Sequence, residues 1–266
     1  MKGKVLIATS MLLAILLVFL NTVWATGPRL TPQLFEAEGT TKIVIYEYPP
    51  LTTFDIPDMG LCPEIIQAAF LAAGVPVTVE NQVVKSLAVY SLIQDNSAAM
   101  LGVESDFTKE QLKQLKVVPC YIMEGRYFYC RPNHKKGLGW DGQSDSLKGY
   151  TYGALAGEDT TAYEHAGIKT VTGDDFVSLF TMLRDGKIDF LAVDDIRGEW
   201  FIRKHFSEEK NNFAKMAGSP WKTPFSIIFN LKHPRYEEIF QSFTKGFQII
   251  KQSGKYSELI EKYRGP

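Results

Sequence analysis

The feature that most constrains the fold is a strand, a helix and a second strand within fewer than 40 residues. "KIVIY" (42–46) and "VPVTVE" (75–80) are β-branched runs of the kind found in strands. Between them, "CPEIIQAAFLAAG" (62–74) repeats apolar residues at helical spacing, with Pro63 in the first turn and Gly74 at the carboxyl-terminal cap. So short a βαβ unit requires parallel strands, and an α/β fold is therefore predicted.

The alternation of strands and helices continues along the chain. A helix near 83–94 precedes a buried strand at 98–102, and a polar linker at 131–149 separates this series from a second one. The second series is predicted to contain, in order, a strand at 150–156, a helix from about Thr160, a helix at 174–186, a strand at 188–193 and a helix at 196–206. A strand at 223–230 and two apolar-striped helices end the chain. This order predicts two α/β lobes with a carboxyl-terminal helical pair.

Residues 1–25 have the composition of a secretory signal peptide. Two lysines precede an apolar stretch at 5–20, and Val23 and Ala25 are the small residues that signal peptidase reads. Cleavage before Thr26 and a periplasmic location are predicted, with an uncleaved anchor as the alternative.

Charge excludes one large class of partners. Without residues 1–25 the chain has 27 basic and 30 acidic side chains, a net charge of −3, and it contains no basic cluster. That balance gives no attraction to nucleic acid or to anionic lipid.

The three cysteines raise the question of a disulfide. Cys120 and Cys130 flank "YIMEGRYFY", which is interpreted as two short strands around a turn near Gly125. A hairpin there would bring the two thiols close enough to bridge and leave Cys62 unpaired, but free thiols fit the sequence equally well. No CxxC and no Cys/His spacing typical of a metal site occurs, so neither a metal nor a cofactor is predicted.

Six segments together carry a family resemblance. In order they are "YEYPPLTTFD", "MGLCPEIIQAAFLAAGVPVTVE", "FTKEQLKQLKVVPCY", "LKGYTYGALAG", "LRDGKIDFLAVDD" and "FTKGFQIIKQSGKYSELIEKY". The chain resembles bacterial extracellular solute-binding proteins of family 3, the amino-acid-type receptors of ABC importers, from about Lys42 to Tyr263.

The resemblance implies a type II periplasmic-binding-protein fold. Lobe 1 would comprise 40–119 plus 226–266, and lobe 2 would comprise 120–225, with hinge segments near 119–121 and 223–226. It also implies a monomeric receptor that captures a small polar solute, an amino acid or related amine, and delivers it to an ABC permease. Ligands of such folds lie beyond the carboxyl ends of the strands.

Asp194 follows the strand "IDFLAV" at such an end. The resemblance implies that this aspartate receives the ammonium group of the ligand, because a partly desolvated carboxylate needs a cationic partner. The alternative is that Asp194 and Asp195 only favour the start of the next helix. Of the two, Asp195 is the one expected to act as the cap.

Four residues of lobe 1 are further candidates. Glu47 and Tyr48 would project from the end of the first strand, and the Tyr48 ring could cover an apolar or cationic part of a solute or pack beneath the adjacent prolines. Gly102 would let a ligand approach the backbone, or serve as an ordinary turn glycine. Lys85 could supply a cation to the cleft, although a surface lysine is the simpler interpretation.

Two departures from the family pattern bear on the ligand. The family carries an arginine after Thr-x-x that holds the α-carboxylate, whereas this chain has Thr108 followed by Gln111 at that spacing. In the anion loop of lobe 2, at 156–163, Asp159 and its neighbour Glu158 put negative charge beside the helix start. Asp159 could simply cap that helix while Thr160 still meets the ligand.

Both departures remove positive potential from the expected carboxylate site. They favour a small cationic or neutral polar solute over an ordinary α-amino acid. Two alternatives to a transport receptor remain open: a periplasmic enzyme of the same fold, similar to cyclohexadienyl dehydratases and using Glu104, Glu158 or Asp194 as its acid, and an extracytoplasmic sensor without a permease.

Overall fold

The computed structural model describes residues 40–82, 84–94, 96–218 and 220–264. The predicted signal peptide at 1–25 lies outside the described residues. Among those described, no helix is long and apolar enough to cross a membrane.

The first half of the structure is a parallel sheet with helices on its faces. Its elements are β1 (Thr41–Ile45), α1 (Leu61–Ala72), β2 (Val77–Asn81), α2 (Lys85–Ile93), β3 (Ala99–Gly102), a 3-10 turn (Glu104–Asp106) and α3 (Lys109–Leu112). β1 pairs in parallel with both β2 and β3. The βαβ prediction is therefore confirmed.

The second half repeats this arrangement. Its elements are a 3-10 turn (Ser144–Leu147), β5 (Thr151–Leu155), α4 (Thr161–His165), β6 (Lys169–Gly173), α5 (Phe176–Arg184), β7 (Phe190–Asp194), α6 (Asp195–His205), a 3-10 turn (Ser207–Asn212) and β8 (Phe213–Lys215). β5 pairs in parallel with β6 and with β7. The chain closes with β9 (Lys222–Asn230), α7 (Tyr236–Gln252) and α8 (Lys255–Arg264).

Two long antiparallel strands connect the halves. β4 (Leu115–Cys130) pairs with β9 over most of its length, and its far end also pairs with β7 and β8. The strand order is β2-β1-β3-β9-β4-β7-β5-β6, with β8 beside β4. The β4–β9 register shifts between Pro119 and Tyr121, within the predicted hinge. The lobe boundaries at 119/120 and 225/226 remain a prediction.

The predicted hairpin between Cys120 and Cys130 is wrong, and so is the bridge that depended on it. β4 is one continuous strand, so these cysteines lie ten positions apart on it, about 33 Å at the usual rise per residue. All three cysteines are buried and free. Gly125 instead makes room for Trp221, because a Cβ at position 125 would lie 2.5 Å from the indole.

Each half has apolar packing on both faces of its sheet. In the first half, α1 and α7 meet through Phe70 and Phe243, whose ring centroids are 5.8 Å apart, while α2 covers the opposite face with Ala88 and Leu92. In the second half, α5 packs on β4, where the Phe128 and Phe180 rings are 5.6 Å apart. These packed faces hold the carboxyl ends of the parallel strands in place.

Candidate functional site

A cavity of about 260 Å³ lies where strand ends of the two halves meet. The first half contributes Tyr48, which follows β1, and the second half contributes side chains from the ends of β5 and β7 and from α6. Five aromatic residues line the cavity: Tyr48, Tyr152, Tyr163, Phe176 and Trp221. Its charged lining residues are Glu158, Asp194 and Arg197. We call this the aromatic cavity.

Two further cavities continue from it along the first half. One of about 380 Å³ shares Tyr48 with the aromatic cavity and is lined by Glu47, Lys85 and Asp106 among others. The other, of about 480 Å³, lies along β4 and β9 and includes Glu104 and the buried Ser226. We call the cavity of about 380 Å³ the middle cavity; the loops after β1 and β3 form its wall, as expected for an open α/β sheet.

Asp194 reaches the aromatic cavity as the last residue of β7. It also caps α6, because its Oδ1 accepts a hydrogen bond of 3.1 Å from the backbone N–H of Arg197. Asp195 begins the helix but does not cap it, so that part of the prediction is wrong; its carboxylate instead pairs with Lys215 at 2.7 Å.

The second oxygen of Asp194 has no hydrogen-bond partner among the described residues. The residue is only 1% exposed, and the nearest cation is Arg197 Nε at 3.6 Å from Oδ2. Burial raises the pKa of the Asp194 carboxyl to about 6, against the opposing charge of Arg197. A buried carboxylate oxygen beside a cavity is an acceptor for a donor that none of the described residues supplies.

Arg197 is a second charged residue of the cavity wall, and it was not among the residues predicted from the sequence. Its guanidinium carbon lies 3.8 Å from the ring centroid of Tyr48 and 4.8 Å from that of Phe176. Its Nε donates a 3.1 Å hydrogen bond to the carbonyl of Pro49 in the first half. The spacing Asp194-x-x-Arg197 on one helix was the available signal, since residues three apart share a helix face.

Tyr48 is both a packing residue and a cavity residue, and its contact with a solute remains a prediction. Its ring packs against Phe225, with centroids 5.5 Å apart, and it also lines both the aromatic and the middle cavity. Burial raises the pKa of its hydroxyl, while the charge of Arg197 acts in the opposite direction.

Glu47 and Lys85 line the middle cavity but are already engaged. Glu47 accepts hydrogen bonds from the Thr53 hydroxyl and the Phe54 backbone N–H, which hold the loop after β1. Lys85 Nζ lies 3.0 Å from the carboxylate of Asp106. Asp106, another residue that the sequence analysis missed, also accepts from the Tyr46 hydroxyl at 2.7 Å.

Thr108 and Gln111 line none of the three cavities. They form a reciprocal cap on α3: the Gln111 backbone N–H donates to Thr108 Oγ1 at 3.2 Å, and the Thr108 N–H donates to Gln111 Oε1 at 2.8 Å. Gly102 ends β3, and a Cβ there would lie 2.8 Å from Asp106 Oδ2. The glycine therefore makes room for the Asp106 carboxylate.

Asp159 and Thr160 also lie outside the three cavities. Their neighbour Glu158 lines the aromatic cavity instead. Asp159 accepts from the Thr161 N–H at 3.0 Å, while the Thr160 hydroxyl donates to Glu164 at 2.6 Å. Glu158 lines the aromatic cavity, where its two oxygens accept from the Tyr152 hydroxyl at 2.6 Å and the Leu155 N–H at 3.0 Å. Within the described ranges, no group of three or more His, Cys, Asp or Glu side chains could hold a metal ion.

Comparison with known proteins identifies the fold. No protein-family model matches the chain, and no curated protein matches it in sequence. A second substrate-binding domain assigned to an amino acid ABC transporter of Streptococcus pneumoniae Canada MDR_19A superposes with a TM-score of 0.67 at 16% identity, covering 85% of this chain and all of that one. Substrate-binding domain 2 of Lactococcus lactis GlnP, in an open conformation, gives 0.63 at 18% identity over 84% and 94% of the two chains. A histidine kinase sensor domain with similarity to periplasmic binding proteins gives 0.59 at 19% identity over 85% and 96%.

These similarities define the class of fold. The chain has the type II periplasmic-binding-protein fold, in which two α/β lobes joined by a two-segment hinge enclose a ligand cleft. The fold class predicted from the sequence is confirmed. At such low identities the comparison establishes the fold alone, and function must be argued from the site.

Proposed function

We propose that the chain is a solute-binding receptor that holds a small, amine-bearing solute in the aromatic cavity. The observation that carries the proposal is the free Oδ2 of Asp194, buried at the edge of a cavity that both halves line. An ammonium group placed there would supply the missing donor and neutralise the desolvated carboxylate.

The aromatic walls support the same class of ligand. Tyr48 and Phe176 already hold one cation, the guanidinium of Arg197, against their ring faces. Ring faces of this kind attract an ammonium group and cover the hydrocarbon attached to it. At about 260 Å³ the cavity is smaller than the roughly 300–1,000 Å³ typical of sites for drug-sized ligands, which favours a small solute.

Transport is the proposed setting. Residues 40–119 plus 226–266 would close on residues 120–225 around the solute through the paired strands β4 and β9, and the closed receptor would dock on an ABC permease as a monomer. Support comes from the substrate-binding domains of amino acid ABC transporters among the structural neighbours. The sensor domain of a histidine kinase with the same fold favours a second candidate, a receptor that signals without a permease.

Calorimetric titration of the purified chain tests the binding proposal. The ligand panel contains amino acids, simple amines, polyamines and neutral sugars. We expect binding only by solutes with an amino group. Asp194→Asn should weaken the affinity for these solutes roughly 10- to 100-fold, which corresponds to the loss of a hydrogen bond to a charged group.

Asp195→Asn is the matched control, because Asp195 is the adjacent carboxylate, lies outside the cavities and pairs with Lys215. It should change affinity less than about twofold, as is usual for surface ion pairs. Tight binding of a sugar, or equal losses in the two variants, would overturn the proposal.

The alternative function is catalysis, with Asp194 as a general acid. A carboxyl with its pKa raised to about 6 can act as a general acid near neutral pH. The discriminating assay is prephenate consumption by the purified protein. The receptor proposal expects no turnover; turnover that Asp194→Asn abolishes would assign the chain to the enzymes of this fold.

A further inference from the structure

We propose that Asp106 is a specificity-determining residue: its carboxylate occupies hydrogen-bond donors of the first half that would otherwise be free to hold a carboxylate of the solute. The receptor therefore takes an amine without a carboxylate in preference to an amino acid. This inference rests on the proposed function and names the class of solute within it.

Three donors converge on the Asp106 carboxylate. The Tyr46 hydroxyl and the Val103 backbone N–H donate to its Oδ2 at 2.7 and 3.0 Å, and Lys85 Nζ lies 3.0 Å from its Oδ1. These donors come from the end of β1, the residue after β3 and the start of α2. A hydroxyl, a backbone N–H and an ammonium group around two carboxylate oxygens form an anion site, and in this chain the anion is a side chain of the protein.

The fold encloses this carboxylate. The Asp106 side chain is only 3% exposed. At Gly102, a Cβ would lie 2.8 Å from Asp106 Oδ2, so the glycine leaves the space that the carboxylate fills. Burial raises the pKa of the Tyr46 hydroxyl, and the charge of Asp106 acts in the same direction, so the hydroxyl remains protonated and donates. Asp106 is therefore a fixed occupant of the anion site.

The anion site faces the space beside the proposed amine site. Asp106 and Lys85 line the middle cavity, which shares Tyr48 with the aromatic cavity. When the amino group of a solute lies at Asp194, the middle cavity is an adjoining space for the rest of the molecule. A carboxylate placed there would meet the negative charges of Asp106 and Glu47, and like charges that face each other lower affinity.

The second half has the same arrangement at Glu158. One oxygen of Glu158 accepts from the Tyr152 hydroxyl at 2.6 Å, and the other accepts from the Leu155 backbone N–H at 3.0 Å. All three residues line the aromatic cavity. In each half, a carboxylate of the protein thus takes a tyrosine hydroxyl and a backbone N–H that could otherwise bind an anionic solute.

The charged residues that line the three cavities also favour a cation. The acidic ones are Glu47, Glu104, Asp106, Glu158 and Asp194, and the basic ones are Lys85 and Arg197. Lys85 is paired with Asp106, and Arg197 donates to the Pro49 carbonyl. A carboxylate of the solute would have to compete with these partners, whereas an ammonium group finds an unbonded acceptor at Asp194 Oδ2.

Thermal unfolding in acetate tests whether Asp106 occupies an anion site. Asp106→Ala removes the carboxylate and leaves its donors to a small anion. Sodium acetate should raise the Tm of this variant above its value in sodium chloride at equal ionic strength, and it should not do so for the wild type. Asp195→Ala is the matched control, because Asp195 also pairs with a lysine, Lys215 at 2.7 Å, but lies outside the cavities. Acetate should not stabilise this control.

Titration calorimetry measures the selectivity. Wild-type protein should bind an amine at least about tenfold more tightly than its carboxylated counterpart, because the added carboxylate finds no free partner. Suitable pairs are phenethylamine with L-phenylalanine and propylamine with γ-aminobutyrate. Asp106→Ala should reduce this preference at least about tenfold by tightening the binding of the carboxylated solute, whereas Asp195→Ala should keep it.

The wild-type comparison requires no variant, so it is decisive even if Asp106→Ala does not fold. If the wild type binds carboxylated solutes as tightly as the amines, or if acetate and selectivity respond alike in Asp106→Ala and Asp195→Ala, this inference is overturned while the proposed function stands. If no amine-bearing solute binds the wild-type protein, the proposed function fails with it.

Discussion

The Asp194 carboxylate is buried beside a cavity, and this burial has a consequence that depends on pH. Its pKa is raised from 3.8 to about 6 in the folded protein. The folded state therefore binds the proton more tightly than the unfolded state does. Below about pH 4, Asp194 is protonated in both states and its ionisation does not affect the free energy of unfolding. Between about pH 4 and pH 6, the cost of ionising the buried carboxyl lowers the free energy of unfolding progressively, and above pH 6 this loss is constant.

Asp194→Asn removes this cost while keeping a side chain that caps helices well. A shift of about two pH units corresponds to about 3 kcal/mol, so we expect the variant to be more stable than the wild type by about 1–3 kcal/mol at pH 7.5. The difference should vanish near pH 4. Urea unfolding of both proteins at several pH values measures it, and a difference independent of pH would contradict the assignment of Asp194 as a buried, ionised group.

Ligand affinity should also depend on the ionisation of Asp194, but it should increase with pH where the stability of the protein decreases. An ammonium ligand requires ionised Asp194, so its affinity should fall about tenfold per pH unit below pH 6 and level off above it. Titration calorimetry between pH 5 and pH 8 measures this dependence, with Asp194→Asn as the flat reference. Affinity that increases on acidification would show that another group receives the ligand.

At the scale of secondary-structure elements, β4 depends on a close approach between Gly125 and Trp221. A methyl group at Gly125 would lie 2.5 Å from the indole, and such overpacking typically costs about 1–3 kcal/mol. Gly125→Ala should therefore lower the free energy of unfolding by about that amount and change the tryptophan fluorescence, because Trp221 lines the aromatic cavity. Gly139→Ala is the control, since a Cβ at Gly139 has no neighbour within 4 Å.

The extended form of β4 also predicts the cysteine chemistry. Because Cys120 and Cys130 lie about 33 Å apart on one strand, no disulfide can join them in the folded protein. Peptide mapping of the non-reduced protein by mass spectrometry should recover no peptide that links these two positions. A Cys120–Cys130 link would mean that the strand is interrupted near Gly125.

Local patterns predicted most elements, and non-local packing explains the errors. The βαβ unit is visible in sequence because each strand and helix has its own apolar period. Gly125 resembles a turn residue when only its neighbours in sequence are considered, but its role is set by Trp221, almost a hundred residues later. In the same way, Asp194 could be found from the strand that precedes it. The role of Arg197 depends on Tyr48 and Phe176, which only the fold brings to its side.

At the scale of the whole molecule, α6 connects the two halves. Arg197 donates to the Pro49 carbonyl, Lys204 pairs with Asp55, and Arg203 donates to the backbone carbonyls of Tyr263 and Arg264 at 2.9 and 2.7 Å. The helix that Asp194 caps therefore contacts both the cavity and the opposite half. A solute bound at Asp194 would lie at the start of this helix.

The most direct test of this account is a crystal structure of the protein with the tightest-binding solute from the titration panel. We expect the solute nitrogen within hydrogen-bonding distance of Asp194 Oδ2, and the rest of the solute in contact with other residues that line the aromatic cavity. A solute bound along β4 and β9 or on the outer surface, with Asp194 Oδ2 still unbonded, would contradict the assignment of this cavity as the binding site.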